Sequence, residues 1–189
     1  QGKSTWLINT VNQLMASIFD DVTPPNIIIV TPYLEEVKRF QKECHMADFV
    51  SPVAHGQSKT DNFHELLEAG CNIVTTHALW KGLNRTTYEL VSKHKYVLYI
   101  DEMMECVEHC KEFSNSDFKM LFNHKLISIA DDGRILWNHE NEPNYRGKFD
   151  HLKSLCENGN LFRYKDKMNF WIFPTDFLEQ FSEVFILTY

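Results

Sequence analysis

Two groups of side chains in this sequence have the types and spacing needed to bind a phosphate and activate a water molecule. The first is Gly2-Lys3-Ser4-Thr5, which directly precedes a stretch with helical periodicity. Backbone N–H groups at a helix N-terminus bind phosphate oxygens, a lysine reaches the outer phosphates, and a hydroxyl binds Mg²⁺. The segment therefore fits the second half of a phosphate-binding loop. Taken alone, it fits a glycine-lysine pair without a role at least as well.

The second group is Asp101-Glu102, which follows the apolar run Tyr96–Ile100. That run predicts a buried strand, and α/β proteins bind ligands at the carboxyl ends of parallel strands. Asp101 can hold Mg²⁺ there through its water shell, and Glu102 can orient and deprotonate an attacking water. The structural alternative is that Asp101 caps a following helix and Glu102 favours the dipole of that helix.

The elements that must position these groups alternate between strand and helix. A short, continuous, β-branched run predicts a strand that is buried on both faces, as in a parallel sheet. The predicted strands cover residues 26–30, 72–76, 96–100 and 184–188, and the helical patterns cover residues 6–18, 34–46, 62–69, parts of 79–92, and 174–181. Such alternation predicts an α/β fold with helices on both faces of a parallel sheet.

The alternation breaks between residues 114 and 173. Asp131-Asp132-Gly133 separates two apolar runs and predicts a β-hairpin, and residues 161–173 predict a second one. We therefore predict a core of residues 1–113, an insertion with hairpins over residues 114–173, and a return to the core sheet over residues 174–189.

Composition narrows the class of protein. The 189 residues are 43% hydrophobic and 24% charged, which suits one domain or slightly more with a sizeable core. No apolar run approaches the roughly 20 residues that span a bilayer, so no membrane partner is expected. Five cysteines without disulfide-framework spacing predict free thiols and a cytoplasmic location. The formal net charge of −7 argues against bulk electrostatic binding of nucleic acid, but not against a local groove.

Five segments, taken in order, resemble the first RecA-like ATPase domain of superfamily 2 helicases and translocases, the DExx-type nucleic-acid-dependent ATPases. The resemblance covers about residues 1–110 and 174–189, whereas the insertion matches nothing in that family. The segments are Gly2-Lys3-Ser4-Thr5 for the end of Walker A, Val30 to Arg39 for motif Ia, Val74 to Leu79 for a later strand-end motif, Asp101-Glu102-Met103-Met104 for Walker B, and Phe185 to Tyr189 for motif III.

This resemblance implies a three-layer RecA-like P-loop NTPase domain with a largely parallel central sheet and an inserted, hairpin-containing subdomain. It implies ATP and Mg²⁺ as cofactors, with the Gly2–Thr5 segment binding the nucleotide. Ser4 and Asp101 are expected to hold Mg²⁺, while Glu102 and Lys3 are expected to act in catalysis.

The resemblance also implies DNA or RNA as a partner. Thr31-Pro32 and Thr75-Thr76-His77 are expected to contact the nucleic-acid backbone, because hydroxyls and free N–H groups at strand ends bind phosphates without reading sequence. Thr188 is expected to couple hydrolysis to domain movement. A second RecA-like domain from the same longer chain supplies an arginine finger in the family. The 189-residue chain alone is therefore expected to be a poor ATPase.

The prediction is thus an ATP-binding motor domain that hydrolyses ATP with Mg²⁺ to move on DNA or RNA. Two alternatives stay open, another P-loop motor such as a viral packaging ATPase, and a non-enzymatic interaction fragment. The aromatic residues of the insertion either stack on bases or pack a small core. On a helix, Cys106, His109 and Cys110 would share one face as three of the four ligands that a structural zinc needs.

Overall fold

A computed structural model describes residues 2–16, 24–54, 56–142, 144–165 and 167–188. The chain forms two compact units, the first made of Gln1–Met104 and Thr175–Tyr189 and the second of Glu105–Pro174. The sequence predicted that the insertion begins at residue 114. The second unit begins earlier because the strand Val107–His109 pairs with the antiparallel sheet of that unit.

Seventeen elements lie within the described residues. The strands are β1 (Asn26–Thr31), β2 (Ile73–Thr76), β3 (Tyr96–Asp101), β4 (Val107–His109), β5 (Ile127–Ile129), β6 (Ile135–Trp137), β7 (Leu161–Tyr164), β8 (Met168–Ile172) and β9 (Glu183–Leu187). The helices are α1 (Lys3–Ala16), α2 (Leu34–Glu43), α3 (Lys59–Glu68), α4 (His77–Lys81), α5 (Arg85–Lys93), α6 (Asn115–Asn123) and α7 (Asp150–Glu157), together with a 3₁₀-helix over Thr175–Gln180. The last two residues of the helix predicted over 6–18 lie outside the described part.

The first unit is built on a four-stranded parallel sheet with the order β2-β1-β3-β9. Val30 pairs with Thr75 on one side and Ile100 on the other, and Asp101 pairs with Leu187. This register brings the carboxyl ends of all four strands to one edge. The prediction of a mixed α/β fold with a parallel sheet is confirmed.

Helices cover both faces of this sheet. On one face Leu7, Val11 and Phe40 of α1 and α2 are fully buried against Ile27 and Ile29 of β1. On the other face the Tyr96 hydroxyl donates a hydrogen bond to the Leu67 carbonyl of α3 at 3.4 Å. The continuous apolar runs of the strands follow from this arrangement, since each strand needs apolar side chains on both faces.

An aromatic cluster attaches the return segment to the first unit. Phe177 is fully buried, and its ring centroid lies 5.4 Å from that of Trp80 and 4.5 Å from that of Tyr88. The helix predicted over 174–181 is present as the 3₁₀-helix Thr175–Gln180. Phe181 N–H bonds the Leu178 carbonyl at 3.3 Å, three residues back, and this tighter winding suits a short connection into β9.

The second unit combines an antiparallel sheet of order β4-β8-β7 with the hairpin β5-β6 and two helices. Both predicted hairpins are present. Helix α6 was not predicted, although Ser114 and Asp117 form a capping box at its start. The helical face proposed for Cys106, His109 and Cys110 is also wrong, because Val107–His109 is a strand. Among the described residues no group of three or more His, Cys, Asp or Glu side chains could hold a metal ion.

Of the helices in the described ranges, none combines the length and apolar character needed to cross a bilayer.

Candidate functional site

The N-terminal turn of α1 lies against the ends of β3 and β9. The Ser4 hydroxyl donates a hydrogen bond to Asp101 Oδ2 at 3.2 Å. The Lys3 ammonium lies 3.8 Å from Glu102 Oε1 and 3.4 Å from the carbonyl oxygen of Leu187. The structure thus brings together the two groups that were predicted separately from the sequence, one at a helix start and one at a strand end.

The Leu187 carbonyl is a shared contact of this edge. It accepts a hydrogen bond from the Glu102 N–H at 3.1 Å, and the Lys3 ammonium contacts the same oxygen. Thr188, the predicted coupling residue, follows directly and is exposed. Tyr189, the last residue of the motif III-like segment, lies outside the described residues. The end of β9 is therefore tied to both halves of the candidate site through one backbone group.

Asp101 is buried, with only 4% of its surface exposed. Burial raises the pKa of its carboxyl group above the ordinary value, while the Ser4 hydrogen bond and the Lys3 charge act in the opposite direction. Its second oxygen, Oδ1, is buried and has no hydrogen-bond partner within the described part of the chain. A carboxylate in this condition gains from a cation that supplies the missing contact.

A second buried oxygen without a partner among the described residues belongs to Thr31. Thr31 and Asp101 follow Val30 and Ile100, which are paired in the sheet, so the two residues end neighbouring strands. Buried polar atoms are rarely left without a partner, and oxygen atoms are the ligands that Mg²⁺ and its bound waters prefer. Ser4 and Asp101, which are in contact, therefore offer oxygen ligands of the kind that a hydrated Mg²⁺ ion takes.

Glu102 has a left-handed backbone conformation, with φ of 68°. In this region a residue with a side chain is strained by about 1–2 kcal/mol, and such strain concentrates at functional sites. The turn directs the chain away from β3 immediately after Asp101, while the Glu102 side chain stays about half exposed, at 46%. Glu102 is thus accessible to solvent beside a buried carboxyl group.

His77 connects the predicted nucleic-acid segment to this edge. Burial lowers the pKa of its ring below the ordinary histidine value, while the nearby backbone of Asp101 acts in the opposite direction. Its Nε2 atom is buried and has no partner in the described part of the structure. The sequence did not indicate this proximity, because His77 follows β2 and Asp101 ends β3, and β1 lies between these two strands.

The other predicted nucleic-acid residues differ in their accessibility. Thr31 and Thr75 are buried, so a polynucleotide cannot reach their hydroxyl groups in this structure. The Thr76 hydroxyl accepts the Leu79 N–H at 3.5 Å and caps α4. Pro32 and His77 are partly exposed at the same edge. Of the residues predicted to contact a nucleic-acid backbone, Pro32, Thr76 and His77 are therefore the ones that stay accessible.

Sequence reasoning missed one cation near the Gly2–Thr5 segment. The Arg39 guanidinium donates a hydrogen bond to the Thr5 hydroxyl at 3.1 Å. Glu36 and Glu43, one turn away on either side, lie 3.4 and 3.2 Å from its nitrogens and hold it in place. The spacing Glu-x-x-Arg-x-x-x-Glu on α2 could have indicated that two carboxylates hold this arginine side chain.

The strain at Glu102 yields a stability prediction. We expect Glu102→Gly to raise the free energy of unfolding by about 0.5–1 kcal/mol, because glycine adopts positive φ without the steric cost. Glu105→Gly is the control, since Glu105 has no positive φ, and it should lower the free energy of unfolding. Urea unfolding measures both changes. Equal destabilisation by the two substitutions would show that Glu102 is not strained.

The raised pKa of Asp101 predicts how stability depends on pH. Burial makes the folded chain hold its proton to higher pH than the unfolded chain, so ionisation above the unfolded value of about 3.8 destabilises the fold. The stability gained by Asp101→Asn, relative to the unchanged chain, should therefore increase as pH rises from 3 to 7. The pKa of Asp61 is lowered by the Ser58 hydroxyl, so Asp61→Asn should show the opposite trend. Chemical unfolding at several pH values measures both differences in stability. If both differences changed in the same direction with pH, the account would be contradicted.

Comparison with known proteins adds the following. Residues 107–171, all within the second unit, match the family model of the YonV middle domain. The chain is 37% identical, over an alignment of 199 residues, to the SPbeta prophage-derived uncharacterized protein YonV of Bacillus subtilis (strain 168). The alignment covers 100% of this chain and 46% of that protein, so the chain spans about half the length of the curated relative it matches. No solved structure matches the chain.

Proposed function

We propose that the first unit is a RecA-like P-loop ATPase domain of a superfamily 2 helicase or translocase, which hydrolyses ATP with Mg²⁺ to move on DNA or RNA. The observation that carries the proposal is the 3.2 Å hydrogen bond from Ser4 to Asp101, whose other carboxylate oxygen is buried without a partner among the described residues. A hydroxyl at a helix start and a carboxylate at a strand end, held in contact, are the two protein ligands expected of a Mg²⁺–nucleotide site.

The phosphate side of the site consists of the Gly2–Thr5 segment. A β-carbon built at Gly2 would meet no atom within 4 Å, so a phosphate group can approach the backbone there. Two contacts of the Lys3 ammonium, with the Leu187 carbonyl and the Glu102 carboxylate, are long, at 3.4 and 3.8 Å. Phosphate oxygens at normal hydrogen-bond distance would form stronger, charge-assisted contacts than these two.

Catalysis would divide between two neighbouring carboxyl groups in different environments. Asp101, buried and bonded to Ser4, would share the metal site, and Mg²⁺, when bound, neutralises charge on the phosphates. Glu102 remains half exposed, so it can accept a proton from a water molecule. Such a difference in burial between adjacent titratable groups is characteristic of acid–base sites.

Nucleic acid would bind at the same edge of the sheet, at Pro32, Thr76 and His77. The position of the His77 ring near the Asp101 backbone would link this surface to the metal ligand. A change in the position of His77 on binding would move the backbone that carries Asp101. We further propose that the protein acts in the cytoplasm and requires a second RecA-like domain to supply the arginine finger.

The test of this function is ATP hydrolysis by the full-length protein. We expect Lys3→Ala to abolish turnover and Glu102→Gln to slow it by about 10²–10⁴ while ATP still binds, the range for loss of a general base. Lys38→Ala and Glu35→Gln, on exposed positions of α2, are the matched controls. Unchanged turnover in both site variants, or equal losses in the controls, would contradict the proposal.

The His77 contact generates a separate prediction. His77→Phe keeps an aromatic ring but removes the polar ring nitrogens near the Asp101 backbone, so the ratio of ATPase rates with and without single-stranded nucleic acid should fall roughly 2- to 10-fold, the worth of one polar contact. His64→Phe is the matched control, because His64 is another half-buried histidine of the first unit with a lowered pKa. An unchanged stimulation ratio in His77→Phe would remove the coupling role.

A further inference from the structure

The antiparallel sheet of the second unit has one face that the rest of that unit leaves largely uncovered. We call it the outer face of β4-β8-β7. Its side chains are registered across the three strands, so that neighbours lie on the same side. They are Val107, His109, Phe162, Tyr164, Met168, Phe170 and Ile172.

Strand alternation separates this face from the core. Leu161 and Trp171, on the opposite side of the same strands, are buried, and Leu161 belongs to the core of the second unit. On the outer face, by contrast, Tyr164 is 51% exposed, Val107 58% and Met168 39%. A solvated sheet face normally carries polar side chains, so an apolar and aromatic face indicates a binding surface.

Cations lie over the aromatic rings of the outer face. The Arg134 guanidinium is 5.5 Å from the centre of the Phe162 ring, and the Lys165 ammonium is 5.0 Å from that of Tyr164. Lys167 lies in the same β7-β8 turn. Arg134 also pairs with Asp132 at 3.5 Å, which orients the guanidinium beside the ring. The rings are therefore bordered by positive charge on the β7 side.

The charge of the second unit also permits binding of a polyanion. Residues 105–174 contain 10 Lys and Arg against 11 Asp and Glu, whereas the remainder of the chain contains 9 against 15. The excess negative charge of the protein thus belongs almost entirely to the first unit. The second unit is close to neutral, so cations at the rim of the outer face can attract phosphates without strong opposition.

We propose that the outer face binds single-stranded nucleic acid by stacking bases on Tyr164, Phe162 and Phe170, with Arg134, Lys165 and Lys167 contacting phosphates. Residues two apart on a strand, such as Phe162 and Tyr164, lie about 6.6 Å apart, so successive rings can each accept an unstacked base. Stacking tolerates any base because every base has an aromatic face. The site therefore binds without strong sequence preference.

This inference goes beyond the proposed function, since it assigns a second nucleic-acid surface that requires no ATP. The experiment measures binding of fluorescein-labelled oligo(dT) and oligo(U) 20-mers to the full 189-residue chain by fluorescence anisotropy, without nucleotide. The two oligonucleotides separate single-stranded DNA from RNA as the source. We expect saturable binding of one or both, weakened by salt.

Tyr164→Ala should raise the dissociation constant roughly 5- to 100-fold, the worth of one base–aromatic stack, while Tyr164→Phe keeps the wild-type value. Lys165→Gln should weaken binding and reduce the slope of affinity against salt by about one. Met120→Ala and Lys119→Gln are matched controls, because both residues are exposed on α6 and do not belong to the strands of the outer face. Circular dichroism and melting temperature check that every variant is folded.

Absence of binding to either oligonucleotide would overturn the inference, as would wild-type affinity in Tyr164→Ala. Equal losses in Tyr164→Ala and Met120→Ala would also overturn it. A change in sedimentation of Tyr164→Ala without a change in oligonucleotide affinity would identify the face as a protein interface instead. Oligonucleotide binding that depends on Tyr164 in a protein without ATPase activity would leave this inference standing and refute the proposed function alone.

Discussion

Parallel pairing of β1, β2, β3 and β9 is the constraint on which the rest of the first unit depends. In a parallel sheet every strand ends at the same edge, so residues far apart in the sequence become neighbours whenever they follow strands. The pair Asp101–Leu187 shows this directly, because the end of β3 lies beside the end of β9. Helix α1 then packs on the face of the sheet and places Ser4 and Lys3 at that edge.

The same edge carries several features that reduce stability. Asp101 is a buried carboxyl group, Thr31 contributes a buried oxygen without a partner in the described part of the chain, and Glu102 has a strained backbone. Elsewhere the first unit is packed conventionally, with fully buried apolar side chains such as Leu7 and Phe40 on the sheet. Features that cost free energy locally persist only because the surrounding core stabilises the fold. They are expected at a binding site, where a bound ligand can compensate for them.

Strong local signals predicted most of the architecture. The β-branched runs of β1, β2 and β3 identified buried strands, and the Asp-Asp-Gly turn identified the first hairpin. One segment was misread for a physical reason. Pairing of β4 with β8, a tertiary contact, overrides the helical pattern of Cys106 to Cys110.

For the candidate site, residue types were easier to predict than contacts. Gly-Lys-Ser and Asp-Glu are short patterns with known chemistry, so Lys3, Ser4, Asp101 and Glu102 could be singled out from the sequence. The proximity of His77 to Asp101 and the contact of Arg39 with Thr5 could not be predicted from the sequence. In each case the distance between the two elements depends on the order of the strands or on the packing of the helices. The outer face of the second unit likewise required the register of three strands.

The central claim is that the edge formed by Ser4, Lys3 and Asp101 binds a magnesium–nucleotide complex. Equilibrium titration of the full-length protein with a fluorescent ATP analogue, in the presence and absence of Mg²⁺, tests this claim most directly. The account predicts saturable binding that unlabelled ATP displaces and that weakens markedly when Mg²⁺ is removed. Absence of binding, or binding of equal strength with and without Mg²⁺, would contradict it.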